Sequence, residues 1–294
     1  MAVIRQYFKP YSRTLVRSFV DFMWISCKLV TDAEVAKLAI RKRLKIVRRN
    51  PCGFDSRLRH YKNNMSRRYK PRKVQFFDWS SDLAYAVGLI ATDGCLSSNQ
   101  KNVTFTSKDI EQIGNIKLIL KMNAKIGMTK NSTSDAYRLQ FSSTQFWDWL
   151  VSIGLTPHKS LTIGELKIPI QYFIDFLRGH LDGDGSIMTY TDRYNAHKNP
   201  NYVYERLWVK FISASETHMI WLQNMIIETT GIPGRLHKTK PNHAGNHMYI
   251  LKFAKKASLT LLSKIYYSDA LPCLTRKKSI YRDFLVKMRE IGPE

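Results

Sequence analysis

Acidic residues are scarce in this chain of 294 residues, which contains 23 Asp and Glu against 47 Lys and Arg. The formal net charge of +24 creates a field that favours a polyanionic partner, and nucleic acid is the first candidate. An anionic membrane surface is the second candidate, but no apolar run approaches the length needed to span a bilayer. The remaining interpretation is a basic surface that serves only solubility.

Cysteine is also sparse, and the four residues Cys27, Cys52, Cys95 and Cys273 are scattered without a CxxC pair or a nearby histidine in a ligand pattern. This spacing disfavours zinc, and it forms no disulfide framework, which fits a reducing compartment. The sequence also lacks a glycine-rich nucleotide loop and a nucleophile elbow. These absences disfavour a metabolic enzyme.

The positive charge is concentrated near the N-terminus. Residues 1–75 hold 20 Lys and Arg against 4 Asp and Glu, a balance of 20 − 4 = +16. Such a run is typical of phosphate contact rather than base reading, and the candidates are Arg41, Lys42, Arg43, Arg67 and Arg68. Three other interpretations stay open: a solvated tail, a helix–turn–helix between Thr31 and Lys62, and an organellar transit peptide over residues 1–20.

The rest of the chain contains an internal repeat. The segment Leu83–Gly94 matches the segment Ile174–Gly185 at an offset of 174 − 83 = 91 residues. At this offset three pairs of identical residues align: Gly88 with Gly179, Asp93 with Asp184, and Gly94 with Gly185.

Each copy reads as a buried apolar helix interrupted by a glycine. Gly88 and Gly179 each cost about 1 kcal/mol in a helix interior relative to alanine, and this cost is worthwhile where another backbone passes close by. Ser80 or Ser81 predicts the N-cap of the first helix, and Gly94 predicts a left-handed residue after its end. The two helices are therefore expected to pack at their glycines.

The acids Asp93 and Asp184 then lie at the C-terminal ends of these helices. The helix dipole disfavours a carboxylate there by roughly 0.3–1 kcal/mol, and a bound cation reverses that penalty. Two adjacent carboxylates repel unless they are protonated or share a metal. A hard cation with oxygen ligands, Mg²⁺ or Mn²⁺, is the expected cofactor.

The two segments resemble the paired motifs of the LAGLIDADG homing endonuclease family. They read Ala-Val-Gly-Leu-Ile-Ala-Thr-Asp-Gly and Leu-Arg-Gly-His-Leu-Asp-Gly-Asp-Gly, and the resemblance covers about residues 76–290. It implies an α+β fold of two pseudo-symmetric αββαββα units forming a DNA-binding saddle. The expected domains are a basic, mainly helical extension over 1–75, a first unit over 76–165 and a second unit over 166–290.

The resemblance also implies phosphodiester hydrolysis by a shared metal site. Asp93 and Asp184 would hold the metal together with Gly94 and Gly185, and a basic residue would lie near each scissile phosphate. The matching basic positions are Lys159 in one half and Lys277 or Lys278 in the other, while Ser107 and Ser213 would position catalytic waters. His180 is expected to be a packed core residue, and Asp182 is left out of the metal set because its counterpart is Ala91.

In the implied saddle, strand residues alternate between the core and the DNA major groove. Exposed polar faces without DNA contact are the alternative interpretation. The candidates for contact with bases or phosphates are Ser98, Gln100, Lys101, Thr104, Thr106, Arg138, Gln140, Tyr190, Arg193, Tyr202, Tyr204, Arg206, Lys210, Lys238 and Lys240.

The sequence therefore predicts a monomeric, site-specific double-strand DNA endonuclease of the intron-homing type, with a long non-palindromic site. Two rival functions stay open: an RNA-binding maturase that assists the splicing of intron RNA, and a non-cleaving DNA-binding protein. The compartment also stays open between mitochondrion, chloroplast and prokaryotic cytoplasm.

Overall fold

The computed structural model describes residues 77–130, 135–243 and 245–291. These residues form two four-stranded antiparallel sheets and seven α-helices, and none of these helices is long and apolar enough to cross a membrane. The predicted helical extension over 1–75, with its phosphate-contact candidates Arg41, Lys42, Arg43, Arg67 and Arg68, lies outside the described residues.

The first unit follows the order α-β-β-α-β-β-α. Its elements are α1 (Ser81–Asp93), β1 (Gly94–Leu96), β2 (Asn102–Ser107), α2 (Ile110–Ile119), β3 (Ile126–Lys130), β4 (Asp135–Ser142) and α3 (Thr144–Ser152). The strands are ordered β1-β2-β4-β3, and each neighbouring pair is antiparallel.

The second unit repeats this order after two short 3₁₀ turns at Lys159–Leu161 and Ile170–Tyr172. Its elements are α4 (Phe173–Asp182), β5 (Ser186–Asp192), β6 (Tyr204–Ser213), α5 (Glu216–Thr230), β7 (Arg235–Lys238), β8 (Tyr249–Phe253) and α6 (Lys255–Ile265), followed by an additional helix α7 (Thr275–Ile291). The sheet order β5-β6-β8-β7 is the same as in the first unit. The predicted α+β fold with two αββαββα units is confirmed.

Helices α1 and α4 pack against each other at their glycines. A Cβ on Gly88 would lie 2.2 Å from the Phe176 carbonyl oxygen, and one on Gly179 would lie 2.1 Å from the Tyr85 carbonyl oxygen. Phe176 is the counterpart of Tyr85, since 176 − 85 = 91, so the contact is pseudo-twofold symmetric. Any side chain at either glycine would force the two backbones apart.

The hydrophobic core is continuous across the helix pair. Leu89 and Ile90 of α1 and Phe176 and Leu177 of α4 have no exposed surface, and they belong to one cluster with the inner faces of both sheets. Because the core joins the two halves, the C-terminal ends of the two motif helices are fixed relative to each other.

Of the two expectations for the ends of α1, one is confirmed and one is wrong. Ser80 does cap α1, accepting a hydrogen bond from the Leu83 N–H at 3.1 Å. Gly94, however, is extended, with φ −81° and ψ 151°, so the predicted left-handed conformation is wrong. The chain enters β1 directly after α1, and glycine is required there because a Cβ would lie 2.5 Å from the Ile90 carbonyl oxygen.

Candidate active site

The two motif acids lie where the helix pair meets the sheets. Asp93 ends α1 immediately before β1, and Asp184 lies between α4 and β5. The helix ends touch, since a Cβ on Gly183 would lie 1.9 Å from the Thr92 hydroxyl oxygen. Burial, and after it the neighbouring Asp184 carboxylate, raises the pKa of the Asp93 carboxyl to about 6. Burial also raises the pKa of Asp184. The two acids therefore lie at the same end of the helix pair, and the charge of Asp184 disfavours ionisation of Asp93.

Two buried lysines supply positive charge beside these acids. Lys159 Nζ donates to the carbonyl oxygens of Thr92 at 3.1 Å and Gly94 at 2.6 Å. Burial lowers the pKa of Lys159, and the nearby Asp184 and Asp93 carboxylates oppose this effect. An ammonium group at a helix C-terminus also offsets the dipole that disfavours the motif acid.

Lys277 makes the equivalent contacts in the second half, but more of them. Four carbonyl oxygens share the three N–H groups of its ammonium, those of Leu181 at 2.7 Å, Asp182 at 2.8 Å, Gly183 at 3.2 Å and Gly185 at 2.7 Å from Nζ. Burial lowers the pKa of Lys277 to about 8, against the opposing effects of Asp182 and Asp93. The ammonium group therefore remains mostly charged at neutral pH and cross-links the turn that carries Asp184.

These contacts change what was expected of three further candidates. The carbonyl groups of Gly94 and Gly185, predicted as metal ligands, each accept a hydrogen bond from a lysine, so each already has a competing cation. Lys278, the alternative to Lys277, lies elsewhere. Its Nζ is 3.2 Å from an Asp269 carboxylate oxygen and donates to the Ser268 and Asp269 carbonyls. The structure therefore favours Lys277 over Lys278 as the lysine of the site.

Asp182 has a position that sequence reasoning missed. It is 1% exposed, and its Oδ2 accepts hydrogen bonds from the Leu274 N–H at 2.7 Å and the Tyr85 hydroxyl at 3.0 Å. Leu274 immediately precedes α7, the helix that carries Lys277. Helix α4 thus holds the start of α7 through Asp182, while α7 holds the end of α4 through Lys277. Ala91, the counterpart of Asp182, offers no carboxylate to the first half.

Each acid lines its own cavity together with the predicted serine of one unit. Asp93 and Ser107 line an opening of about 380 Å³, and Asp184 and Ser213 line one of about 170 Å³. Ser107 Oγ donates to Gln112 Oε1 at 2.6 Å and accepts from the Asp109 N–H at 3.1 Å. The serines thus lie beside the acids, as expected of residues that position water, although that role stays a prediction.

A histidine pair distinguishes the cavity beside Asp184. The Nε2 atoms of His180 and His218 are 3.1 Å apart, and His218 Nδ1 lies 2.9 Å from the Gly164 carbonyl oxygen. Since that carbonyl can only accept, His218 carries its proton on Nδ1 and His180 carries its own on Nε2. Burial lowers the pKa of both rings, to about 4 for His218. His180 is therefore a neutral packed residue, as expected.

The first sheet presents a polar face opposite its core face. Thr106 pairs with Arg138 and Thr104 with Gln140 across β2 and β4, between buried Phe105 and Leu139. Arg138 Nη2 donates to Gln140 Oε1 at 2.7 Å. Lys101 is exposed in the turn before β2. The predicted alternation is confirmed, whereas contact with DNA stays a prediction.

The second sheet presents a more aromatic and more basic face. Tyr204, Arg206 and Lys210 alternate with the buried residues Glu205, Leu207, Val209 and Phe211 along β6. Arg193 and Lys240 are exposed outside the strands. Sequence reasoning missed Trp208, Lys252, Arg235 and His237, which the strand register places on the same face as Arg206. The period of two along β6 was the signal for Trp208.

Lys238 is an incorrect prediction for this face. It pairs with Tyr249 of β8, and its Nζ lies 5.6 Å from the centroid of the Tyr249 ring. Tyr249 belongs to the buried row of β8, so Lys238 leans over the edge of the core face. The expectation failed because β7 was not recognised as a strand, and its register was therefore unknown.

Several solved structures are similar to this chain. One is I-DmoI in complex with DNA and Ca, at 15% identity, covering 69% of this chain and 97% of that chain with a TM-score of 0.45. A second is the I-LtrWI LAGLIDADG homing endonuclease bound to target DNA, at 12% identity, 72% and 91% coverage and a TM-score of 0.48. A third is full-length DUF199/WhiA from Thermatoga maritima, at 13% identity, 73% and 63% coverage and a TM-score of 0.44.

No protein-family model matches the chain, and no curated protein sequence matches it. The class of protein seen here is a two-unit α+β protein with a pair of acids at the joined ends of its central helices. The family that its motifs resemble, the LAGLIDADG homing endonucleases, recurs by name among the similar structures.

Proposed function

We propose that this chain is a site-specific double-strand DNA endonuclease whose halves share one pair of catalytic acids. The observation that carries the proposal is the joining of Asp93 and Asp184 at the touching ends of α1 and α4. Burying two carboxylates and placing them side by side both cost stability. A protein that only binds nucleic acid gains nothing in return for that cost.

The acid pair suits a divalent cation. Among the described residues, no three His, Cys, Asp or Glu side chains form a metal-ligand group. Mg²⁺ often takes one or two carboxylates and completes its shell with water and substrate phosphate, so Asp93 and Asp184 are a sufficient protein contribution. Such a cation would lower the pKa of a bound water and offset charge on the phosphate. Mn²⁺ accepts the same oxygen ligands.

The lysines and the serines have distinct proposed roles. Lys159 and Lys277 fix the turns that carry the acids through carbonyl contacts of 2.6–3.2 Å and add positive charge near the scissile phosphates. Ser107 and Ser213 would orient water from the two cavities. The polar faces of both sheets would lie along the major groove, which is wide enough for a two-stranded ribbon.

The experiment is cleavage of a random duplex library by the full chain with Mg²⁺, with Mn²⁺ and with EDTA. We expect one long, non-palindromic sequence to be cut with Mg²⁺ and with Mn²⁺ but not with EDTA. Asp93→Asn and Asp184→Asn should abolish cleavage. Their matched control is Asp82→Asn, at the opposite end of α1, which should cut normally because Asp82 is exposed in the first turn. Selective binding of duplex without cleavage by the wild-type chain would favour the non-cleaving alternative, and selective binding of structured RNA would favour the maturase.

The proposed stoichiometry is one chain per site, because a single chain supplies both acids and two different sheet faces. A homodimer of one-motif subunits would instead present identical faces and prefer a palindrome. Light scattering of the protein–DNA complex should give a 1:1 mass. A 2:1 complex on a palindromic site would contradict the monomer.

A further inference from the structure

The outer end of the β5–β6 hairpin holds an arginine in a fixed orientation. Arg206 Nε and Nη2 donate to the same Asp192 oxygen, Oδ2, at 3.0 and 2.8 Å. The other oxygen of Asp192, Oδ1, accepts from the Tyr194 N–H at 3.0 Å. The carboxylate is thus held from both sides, and it fixes one edge of the guanidinium group.

Tyrosine rings surround the same guanidinium. Its Cζ lies 5.5 Å from the centroid of the Tyr204 ring, which packs edge-on against Tyr202 at 4.7 Å. Tyr190 lies directly opposite Arg206 across the strand pair. These contacts restrict the flexible arginine stem, so little side-chain entropy remains to be lost when the group binds a ligand.

The other edge of the guanidinium remains available. Within the described part of the chain, Nη1 has no hydrogen-bond partner, and the second N–H of Nη2 makes only a 3.3 Å contact with the Tyr202 hydroxyl. The side chain is 37% exposed, against 16% for Asp192. The Nη1 group of Arg206 is therefore available to a ligand, and the parallel N–H of Nη2 becomes available when an acceptor of the ligand replaces the Tyr202 hydroxyl.

We propose that Arg206 reads a guanine in the major groove and that Asp192 is the positioning residue that aims it. Guanine offers two adjacent acceptors, O6 and N7, and arginine meets both at once, whereas adenine places a donor beside its N7. The inference rests on the proposed function, since it requires bound duplex DNA.

A phosphate contact is the competing role for Arg206. Phosphate affinity depends mainly on net positive charge and on counterion release. The carboxylate of Asp192 neutralises much of the charge of Arg206, which would be counterproductive for a phosphate clamp. A fixed orientation with reduced charge instead suits base reading, where geometry decides the outcome.

The strand register gives the approximate position of the guanine. Arg206 pairs with Tyr190, which lies four residues beyond Ser186, the first residue of β5. At about 3.3 Å per residue this is about 13 Å from the start of β5, and because Asp184 lies two residues before β5, Arg206 is up to about 20 Å from Asp184, on the order of six base pairs at about 3.4 Å each. The guanine is thus expected outside the central base pairs, in the half-site bound by the second sheet.

The test is a binding selection of the full chain on a random duplex library in Ca²⁺, repeated for Arg206→Lys and Asp192→Asn. The wild-type chain should select guanine at one position of one half-site. Arg206→Lys should lose that preference by about tenfold while the salt dependence of binding is unchanged, because the charge is retained. Asp192→Asn should weaken the preference without reducing overall affinity.

Arg282→Lys is the matched control, because Arg282 lies on helix α7, outside both sheet faces, and like Arg206 it donates to an aspartate, Asp269. It should leave the guanine preference intact. Unchanged base preferences in Arg206→Lys, or an equal loss of affinity for all sequences in Asp192→Asn, would overturn the inference. Failure of the wild-type chain to bind any duplex would instead overturn the proposed function, and the two failures are thus distinguishable.

Discussion

The two motif-helix ends carry the same acid but are held in different ways. At the end of α1, Lys159 contacts two carbonyl groups, and α1 has Ala91 at the position where α4 has Asp182. At the end of α4, Lys277 contacts four carbonyl groups, and Asp182 accepts a hydrogen bond from the Leu274 N–H at the start of α7. The duplicated fold thus places its acids at equivalent positions in both halves. Only in the second half do the motif helix and the lysine-bearing helix hold each other through contacts in both directions, which we call the α4–α7 brace.

The largest expected difference between the halves is in stability when each lysine is truncated. Lys277→Met leaves four carbonyl groups without their ammonium donor and should reduce the free energy of unfolding by about 3–5 kcal/mol. Lys159→Met affects two carbonyl groups and should cost about 1–3 kcal/mol. Urea unfolding in EDTA measures both. Equal losses would mean that the four contacts of Lys277 do not act as a brace.

The next largest loss of stability is expected when Asp182, which holds the start of α7, is replaced. Asp182→Ala copies the first half and leaves the Leu274 N–H and the Tyr85 hydroxyl without their acceptor, so we expect a loss of about 2–3 kcal/mol. Asp82→Ala, at an exposed first-turn position, should cost under about 1 kcal/mol. Thermal unfolding compares the two. A loss for Asp182→Ala no greater than for Asp82→Ala would show that the hydrogen bonds of Asp182 do not stabilise the second half.

A smaller change, this time a gain in the free energy of unfolding, is expected when Asp93 is replaced in the absence of metal. Burial and Asp184 raise the pKa of Asp93 from 3.8 to about 6, so the folded state favours the protonated carboxyl. That contribution to stability is fully present below pH 3.8 and is lost as the pH rises through 6. At pH 7.5 the wild-type chain therefore carries an ionisation penalty on the order of 2 kcal/mol.

Asp93→Asn should therefore be more stable than the wild-type chain near pH 7.5, and the difference should shrink towards pH 4. Unfolding of both proteins across this range in EDTA checks the sign. A variant that is less stable at every pH would show that the Asp93 carboxylate makes favourable contacts that outweigh its desolvation.

The smallest expected effect tests the histidine pair. The first half places Leu89 and Gln112 where the second has His180 and His218, since 180 − 89 = 91 and 218 − 112 = 106. The double change His180→Leu, His218→Gln removes a buried ring nitrogen, Nδ1 of His180, that has no partner among the described residues. We expect under about 1 kcal/mol of change in unfolding free energy. A loss several times larger would give the pair a structural role of its own.

The symmetric part of the site was predictable from sequence, and the asymmetric part was not. The glycine contact and the joined acids follow from one repeat, because duplicated helices that approach at glycine bring equivalent residues together. Asp182 was set aside because its counterpart is alanine, yet its role comes from Leu274, which lies 92 residues further along the chain. The carbonyl contacts of Lys277 likewise depend on a tertiary approach that no local pattern records.

Strand register limited the prediction of the sheet faces in the same way. The central strands β2, β4 and β6 alternate clearly, and most of their outward polar and charged residues were identified, whereas Trp208 was missed. The edge strands β3 and β7 are short and carry few buried residues, so their pattern was too weak to recognise. Lys238 was consequently placed on the wrong face.

The central claim is that one acid from each half serves a single shared site, and nicking of a supercoiled plasmid containing the selected site tests it most directly. With Mg²⁺ the wild-type chain should linearise the plasmid. Asp93→Asn and Asp184→Asn should each bind the site but leave both strands intact, while Asp82→Asn should match the wild-type chain. Efficient nicking of one strand by either acid variant would contradict the claim, because it would show that each carboxylate serves its own strand independently.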